Sequence, residues 1–146
     1  MKRLLLVVVV VVVAFVGTAQ TARADGPVRI PVLYLDFFTN VCGYYLGVTV
    51  VESSRVETVF SDGRRTDTGN LVLRVTHLDG GSSIVRDASG PLFFTMNAVT
   101  GTGNTLWEID DAVYFVQGQA TLAFNPDGTS TFSYTGQIEN LCDTLR

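Results

Sequence analysis

Thr131-Phe132-Ser133-Tyr134-Thr135-Gly136-Gln137-Ile138 is the stretch that decides the fold. Phe132, Tyr134, Gly136 and Ile138 share one parity, and Thr131, Ser133, Thr135 and Gln137 share the other. A period of two is the signature of a half-buried β-strand, apolar toward a core and polar toward water. Upstream, Leu71, Leu73 and Val75 alternate less cleanly with Val72, Arg74 and Thr76, and Leu92, Phe94 and Met96 alternate with Phe93, Thr95 and Asn97.

Turn-forming residues punctuate the chain between such runs. They occur at Ser61-Asp62-Gly63, Asp79-Gly80-Gly81, Ser89-Gly90-Pro91, Gly101-Thr102-Gly103-Asn104 and Asn125-Pro126-Asp127-Gly128. No segment between Asp25 and Ile138 holds a helical stripe, and only Ile138–Leu145 suits a short helical turn. The spacing predicts an all-β domain: an antiparallel meander of about eight or nine strands, closed or nearly closed into a β-barrel because a long meander must hide its edges. The alternative is a β-sandwich. Gly43, Gly47, Gly118 and Gly136 fall inside strand-like runs, where glycine marks a bulge or tight bend.

The N-terminus has a separate logic. Lys2 and Arg3 precede an apolar run from Leu4 to Val16, and Ala22-Arg23-Ala24 follows before Asp25. This is the layout of a secretory signal peptide cleaved after Ala24, leaving one domain over residues 25–146. The apolar run is short of the roughly 20 residues that span a bilayer, so no stable membrane insertion is expected after cleavage. Asp25–Arg29 is expected to be a loose leader to the domain.

Cleavage removes Lys2, Arg3 and Arg23, which leaves 7 arginines against 14 acidic residues and a net charge of −7. An acidic chain repels phosphate backbones, so nucleic acid is excluded as a partner. Two cysteines remain, Cys42 and Cys142. In an oxidising compartment they are expected to form a structural disulfide closing a loop of about 100 residues; the C-x-x-C spacing of a redox pair is absent.

In its sequence of landmarks the chain has a recognisable layout. Cys42 precedes a strand, Thr76-His77-Leu78-Asp79-Gly80-Gly81-Ser82 closes another, and the Asn125–Gly128 turn leads to Gly136 and Asn140-Leu141-Cys142-Asp143-Thr144-Leu145. This resembles the small exported proteins common in actinobacteria, a signal peptide followed by an all-β domain with a Leu-Cys tail. The resemblance spans essentially the whole mature chain. It implies export and fold and carries no functional residues across. Members of that group tend to have Asn where this chain has His77.

Chemistry-bearing residues are sparse. His77, the only histidine, ends a strand before a Gly-Gly turn, a setting for local hydrogen bonding. With both cysteines paired it cannot complete a zinc site, so no metal or other cofactor is expected. Ser82-Ser83 lacks the G-x-S-x-G elbow of a nucleophile. Glu108, Asp110 and Asp111 read as an acidic hairpin, and Asn125–Gly128 as a type I turn lacking the ligand order of a calcium loop.

The aromatic residues are more suggestive. Phe37-Phe38, Tyr44-Tyr45, Phe93-Phe94 and Tyr114-Phe115 are adjacent pairs, and in a strand each pair sends one ring inward and one outward. An outward ring invites a lid, a partner or a ligand. The expected function is therefore a secreted, non-enzymatic binding or interaction module. In its first form a small apolar ligand sits in the barrel mouth, walled by Trp107, Tyr114, Tyr45 and Phe94. The alternatives are a small secreted barrel enzyme of the isomerase or cyclase type, and an extracellular or envelope component that meets a protein partner.

Overall fold

Most of the turns expected from the sequence fall where the chain reverses, and the runs between them pair as antiparallel strands. The computed structural model describes residues 26–146; the signal peptide expected over residues 1–24 lies outside them. The strands are β1 Val28–Pro31, β2 Phe37–Thr39, β3 Leu46–Ser53, β4 Val56–Val59, β5 Arg65–Thr68, β6 Leu71–His77, β7 Ser83–Asp87, β8 Leu92–Phe94, β9 Ala98–Ile109, β10 Ala112–Phe124 and β11 Ser130–Asn140, followed by the helical turn α1 Leu141–Thr144.

These strands form two antiparallel sheets, one ordered β1-β4-β5-β8-β9-β10-β11 and the other β2-β3-β6-β7. The strands do not run as a single meander, and no closed barrel is present among the described residues: each sheet has two free edges, and the sandwich alternative fits. The reason lies in the early chain, which pairs strands two at a time (β2–β3, β4–β5, β6–β7), crosses between sheets after β1, β3, β5 and β7, and runs as an uninterrupted meander within one sheet only from β8 onward. The first core lies between the sheets, where Leu46, Val48, Leu73 and Val75 meet Val113, Phe115, Leu141 and Leu145. Burying such side chains supplies the main force that holds the layers together, about 1.5–3 kcal/mol for each fully buried residue.

The second core arises from a bend. Gly101-Thr102-Gly103-Asn104, expected to be a turn, lies inside the twelve-residue strand β9. Gly103, Gly118 and Gly136 stand opposite one another across β9, β10 and β11, with φ of 75°, 150° and 99°. A side chain on Gly118 would strike the Thr135 carbonyl, and one on Gly136 the Gln117 carbonyl. The row of glycines lets three strands fold over together. Trp107 then reaches across Gly101, where an added Cβ would meet its ring at 2.9 Å. Phe132, eight positions along β11 from the register of Trp107, comes to 5.6 Å between ring centroids. The bend expected at Gly118 and Gly136 is present, whereas Gly43 occupies a turn and Gly47 has an ordinary backbone.

One arginine ties the crossovers together. Arg55, in the β3–β4 crossover, is 2% exposed and forms an ion pair with buried Asp67 at 2.8 Å. Its Nη1 donates to the carbonyls of Gly69 (3.2 Å) and Gly90 (3.0 Å), in the β5–β6 and β7–β8 crossovers, and Nη2 donates to the Asp67 carbonyl. Tyr34, in the β1–β2 crossover, donates its hydroxyl to the other Asp67 oxygen. All four passages between the sheets thus converge on one Arg–Asp pair.

The ends of the domain are also tied. Cys42 and Cys142 lie at disulfide distance, with Cα atoms 5.3 Å apart. The helical turn expected over Ile138–Leu145 forms at Leu141–Thr144, capped by the Asn140 side chain accepting from the Cys142 amide. Asp25 lies outside the described residues, but the end of the expected loose leader is ordered: Val28 and Arg29 pair with Val59 and Thr58.

Candidate binding surface

The outer face of the four-stranded sheet carries exposed apolar side chains of the kind the adjacent-pair argument anticipates. Strand parity fixes it. In β3, Leu46 and Val48 point to the core, so Tyr45 before them and Gly47 between them face outward. Gly47 stands between Phe38 on β2 and Thr76 on β6. Gly47 has no side chain, and Phe38 and Leu78 lie over it, 3.7 and 3.0 Å from where a Cβ would stand. The Leu78 amide donates to the Tyr45 carbonyl at 3.0 Å, extending the ladder by one register. Phe38 is 73% exposed and Tyr45 54%. Val85, paired with Arg74, is a further exposed apolar side chain on β7.

Beneath this face the only histidine has a mechanical role. The His77 ring lies 4.0 Å from that of Tyr44, and its Nδ1 donates to the Leu145 carbonyl at 3.1 Å. The Ser82 hydroxyl donates to the same oxygen at 2.6 Å, while Tyr44 donates to the Cys142 carbonyl. His77 and Ser82, the acid–base and nucleophile candidates, therefore hold the C-terminal turn against the core. The acidic candidates resolve in the same way. Asp110-Asp111 forms the β9–β10 hairpin turn, with Asp110 at φ 51°. Asp127 accepts from the amide and hydroxyl of Thr129 within the Asn125–Gly128 turn, and these bonds hold its carboxyl below the ordinary carboxylate range.

The four proposed pocket residues are not gathered at one mouth. Trp107 and Tyr114 stand opposite each other on β9 and β10, facing the second core. The Trp107 Nε1 donates to Thr105, itself buried, and Phe132 lies within 6.3 Å of the Tyr114 ring. Phe94 shares that face at the β8 edge, with the Arg65 guanidinium 5.1 Å above its ring. Tyr45 belongs to the other sheet. Two open hollows lie elsewhere. An open cleft of about 430 Å³ runs between Arg29, Pro31, Ser54 and Thr68, and another of about 390 Å³ between Arg64 and Met96.

The Arg55–Asp67–Tyr34 network escapes sequence reading, because nothing local marks Arg55 as buried; Asp67 does share the parity of Arg65 and gives no periodic signal. Burial, then the Asp67 hydrogen bond, drives the Tyr34 phenol well above its ordinary value. Comparison with protein-family models, with curated proteins and with solved structures finds no match for this chain.

Proposed function

We propose that the protein is an exported, non-enzymatic binding module, released by cleavage after Ala24, that meets a protein partner through the outer face of its four-stranded sheet. The observation that carries this reading is the Phe38–Leu78 layer over Gly47, two exposed apolar side chains with Tyr45 beside them on a surface no other part of the described chain covers. Such rings cost solubility when left in water and supply anchors when a partner buries them. The Cys42–Cys142 pair at disulfide distance supports an oxidising compartment. Two further facts favour binding over catalysis: His77 and Ser82 are committed to the Leu145 carbonyl, and the Asp127 carboxylate to its own turn. For a small apolar ligand to take the first-expected site, Phe132 would have to leave the rings of Trp107 and Tyr114.

A photo-crosslinking side chain placed at Tyr45, in protein made by its native producer, tests the reading. A discrete protein adduct is expected, and Phe38→Ser should suppress it without lowering the melting temperature. No adduct, or one indifferent to Phe38→Ser, refutes it. Light scattering distinguishes a second copy of this chain from a different partner.

A further inference from the structure

The two sheets end in four edge strands, and three of them are guarded. An exposed edge is a template for further pairing, and proteins blunt it with proline, charge or brevity. Edge strand β1 carries Arg29 and Pro31, β2 is three residues long, and β7 ends in Arg86-Asp87. The fourth edge, β11, runs eleven residues in unbroken register with β10, and from Ser130 to Ile138 it holds neither proline nor charge. Residues 130–137 are exposed except for half-buried Phe132. Glu139, just past this strip, is neutralised by Arg86 of β7 at 2.9 Å.

The ladder fixes which backbone groups are free. The Phe124 amide donates to the Asn97 carbonyl, away from β11, and the Asn125 amide donates to Thr129. Phe124 pairs with Ser130, so the alternation of an antiparallel ladder turns the amides and carbonyls of Ser130, Phe132 and Tyr134 outward, to the open edge.

The sequence of the strip says what pairs with it. Thr131-Phe132-Ser133-Tyr134-Thr135 reads nearly the same in both directions. Laid antiparallel against a second copy with Ser133 on the two-fold axis, Phe132 faces Tyr134 of the other copy, Thr131 faces Thr135, and Ser133 faces itself. Aromatic and hydroxyl pairs of this kind are the favourable cross-strand matches. Phe132 and Tyr134, whose backbone groups are free, then exchange hydrogen bonds on both sides of the axis. Tyr134, 49% exposed and 6.2 Å from the Phe132 ring, gains a second aromatic neighbour. Charge points the same way: two exported copies, each with 14 acidic residues against 7 arginines, approach best along a strip with none.

We propose that the protein forms a two-fold dimer by antiparallel pairing of β11 edges about Ser133, joining two seven-stranded sheets into one. An unrelated extended peptide finds the same backbone groups, but the near-palindrome matches a second copy. The dimer edge is distinct from the Phe38 face, and the two readings stand or fall independently.

Sedimentation velocity of the exported, oxidised protein over a concentration series tests the assignment. A reversible dimer is expected, weak because the strip is short, and tighter at high salt because like-charged chains are then screened. Ser133→Lys and Ser133→Glu should each weaken it at least tenfold at unchanged melting temperature, since each sets like charges face to face. An equimolar mixture of the two should dimerise again. Ser133→Cys should form an intermolecular disulfide, because opposed residues of a non-hydrogen-bonded pair lie about 4.5 Å apart, within the roughly 4.4–6.8 Å that a disulfide spans. Ser130→Cys, remote from the axis, should not, and Phe38→Ser should leave the dimer untouched. A monomer at every concentration, a dimer indifferent to both charges, a mixture that stays monomeric, or cross-linking at residue 130 equal to that at 133 overturns the proposal.

Discussion

Arg55→Met is the perturbation that most directly probes how the two sheets are joined. The substitution keeps an unbranched side chain of similar reach but removes four polar contacts, from Nε to the Asp67 carboxylate at 2.8 Å and from the two Nη atoms to the carbonyls of Gly69, Gly90 and Asp67. Asp67 would remain a buried carboxylate with Tyr34 as its remaining side-chain donor. Leaving one member of a buried pair uncompensated costs about 3–5 kcal/mol. The three carbonyls lose charge-assisted donors as well, but these losses overlap with the first and do not simply add. Domains of this size have only about 5–15 kcal/mol to lose.

Urea unfolding of the oxidised protein reads the effect directly. With m-values of about 1–3 kcal/mol/M, a 3 kcal/mol loss moves the midpoint down by about 1–3 M. Arg55→Lys should fall between, because an ammonium keeps the charge but cannot fork to four acceptors. The double variant Arg55→Met/Asp67→Leu should recover at least half of the single-variant loss, since no buried charge is then left alone. A single variant within 1 kcal/mol of the parent, or a double variant no better than Arg55→Met, would refute the idea that this pair closes the crossovers.

Three further outcomes follow from the same geometry. Gly118→Ala places a Cβ against the Thr135 carbonyl at φ 150°, so thermal unfolding should show a loss of about 1–3 kcal/mol, whereas Gly26→Ala, with open space around it, should be nearly silent. Cys142→Ser opens a loop with a sequence separation of 100, and chemical denaturation should lose about 4–5 kcal/mol, with amide exchange rising first at Leu141–Leu145. The raised Tyr34 phenol means that folding favours the protonated ring. Its contribution is therefore complete below pH about 10 and declines above it as the unfolded chain ionises first, by at most about 1.4 kcal/mol per pH unit. Tyr34→Phe should flatten that alkaline limb in pH-dependent unfolding; an unchanged limb contradicts the burial of the phenol.

Strand identity was legible wherever parity was clean. Thr131–Ile138 sits within β11 with Phe132 and Ile138 in the second core and the threonines outside, and the Asn125–Gly128 turn carries its Gly128 at φ 83°. Sheet membership was not legible. Alternation tells which residues face inward but not which layer they face, and short strands such as Val56–Val59 and Arg65–Thr68 have no strong period at all. Gly101–Asn104 was misleading for a related reason: glycine supplies the same backbone freedom to a turn that ends a strand and to a bend that continues it. Partner strands decide between them, and those lie 15 or more residues away in Gly118 and Gly136. The disulfide, by contrast, needed no neighbour beyond the only other cysteine.

The candidate surfaces divide along the same line. Adjacent aromatic pairs imply that one ring in each pair faces out, and Phe38, Tyr45 and Phe93 do so, whereas Tyr114 and Phe115 are both taken up, Tyr114 against the second core and Phe115 in the first, because β10 has a core on each face. What pairs alone could not reveal is their company. Phe38 keeps apolar company because Gly47, two strand positions from Tyr45, leaves a floor on which Leu78 also rests. Phe93 keeps polar company because the register sets Thr66 on one side and Thr100 on the other. Two rings of one chemical type thus acquire opposite surroundings from strand pairing alone. Leu78→Thr should therefore weaken the protein adduct at Tyr45, and Thr100→Leu, on the other sheet, should leave it unchanged; an adduct indifferent to Leu78→Thr, or lost in Thr100→Leu, would refute this division.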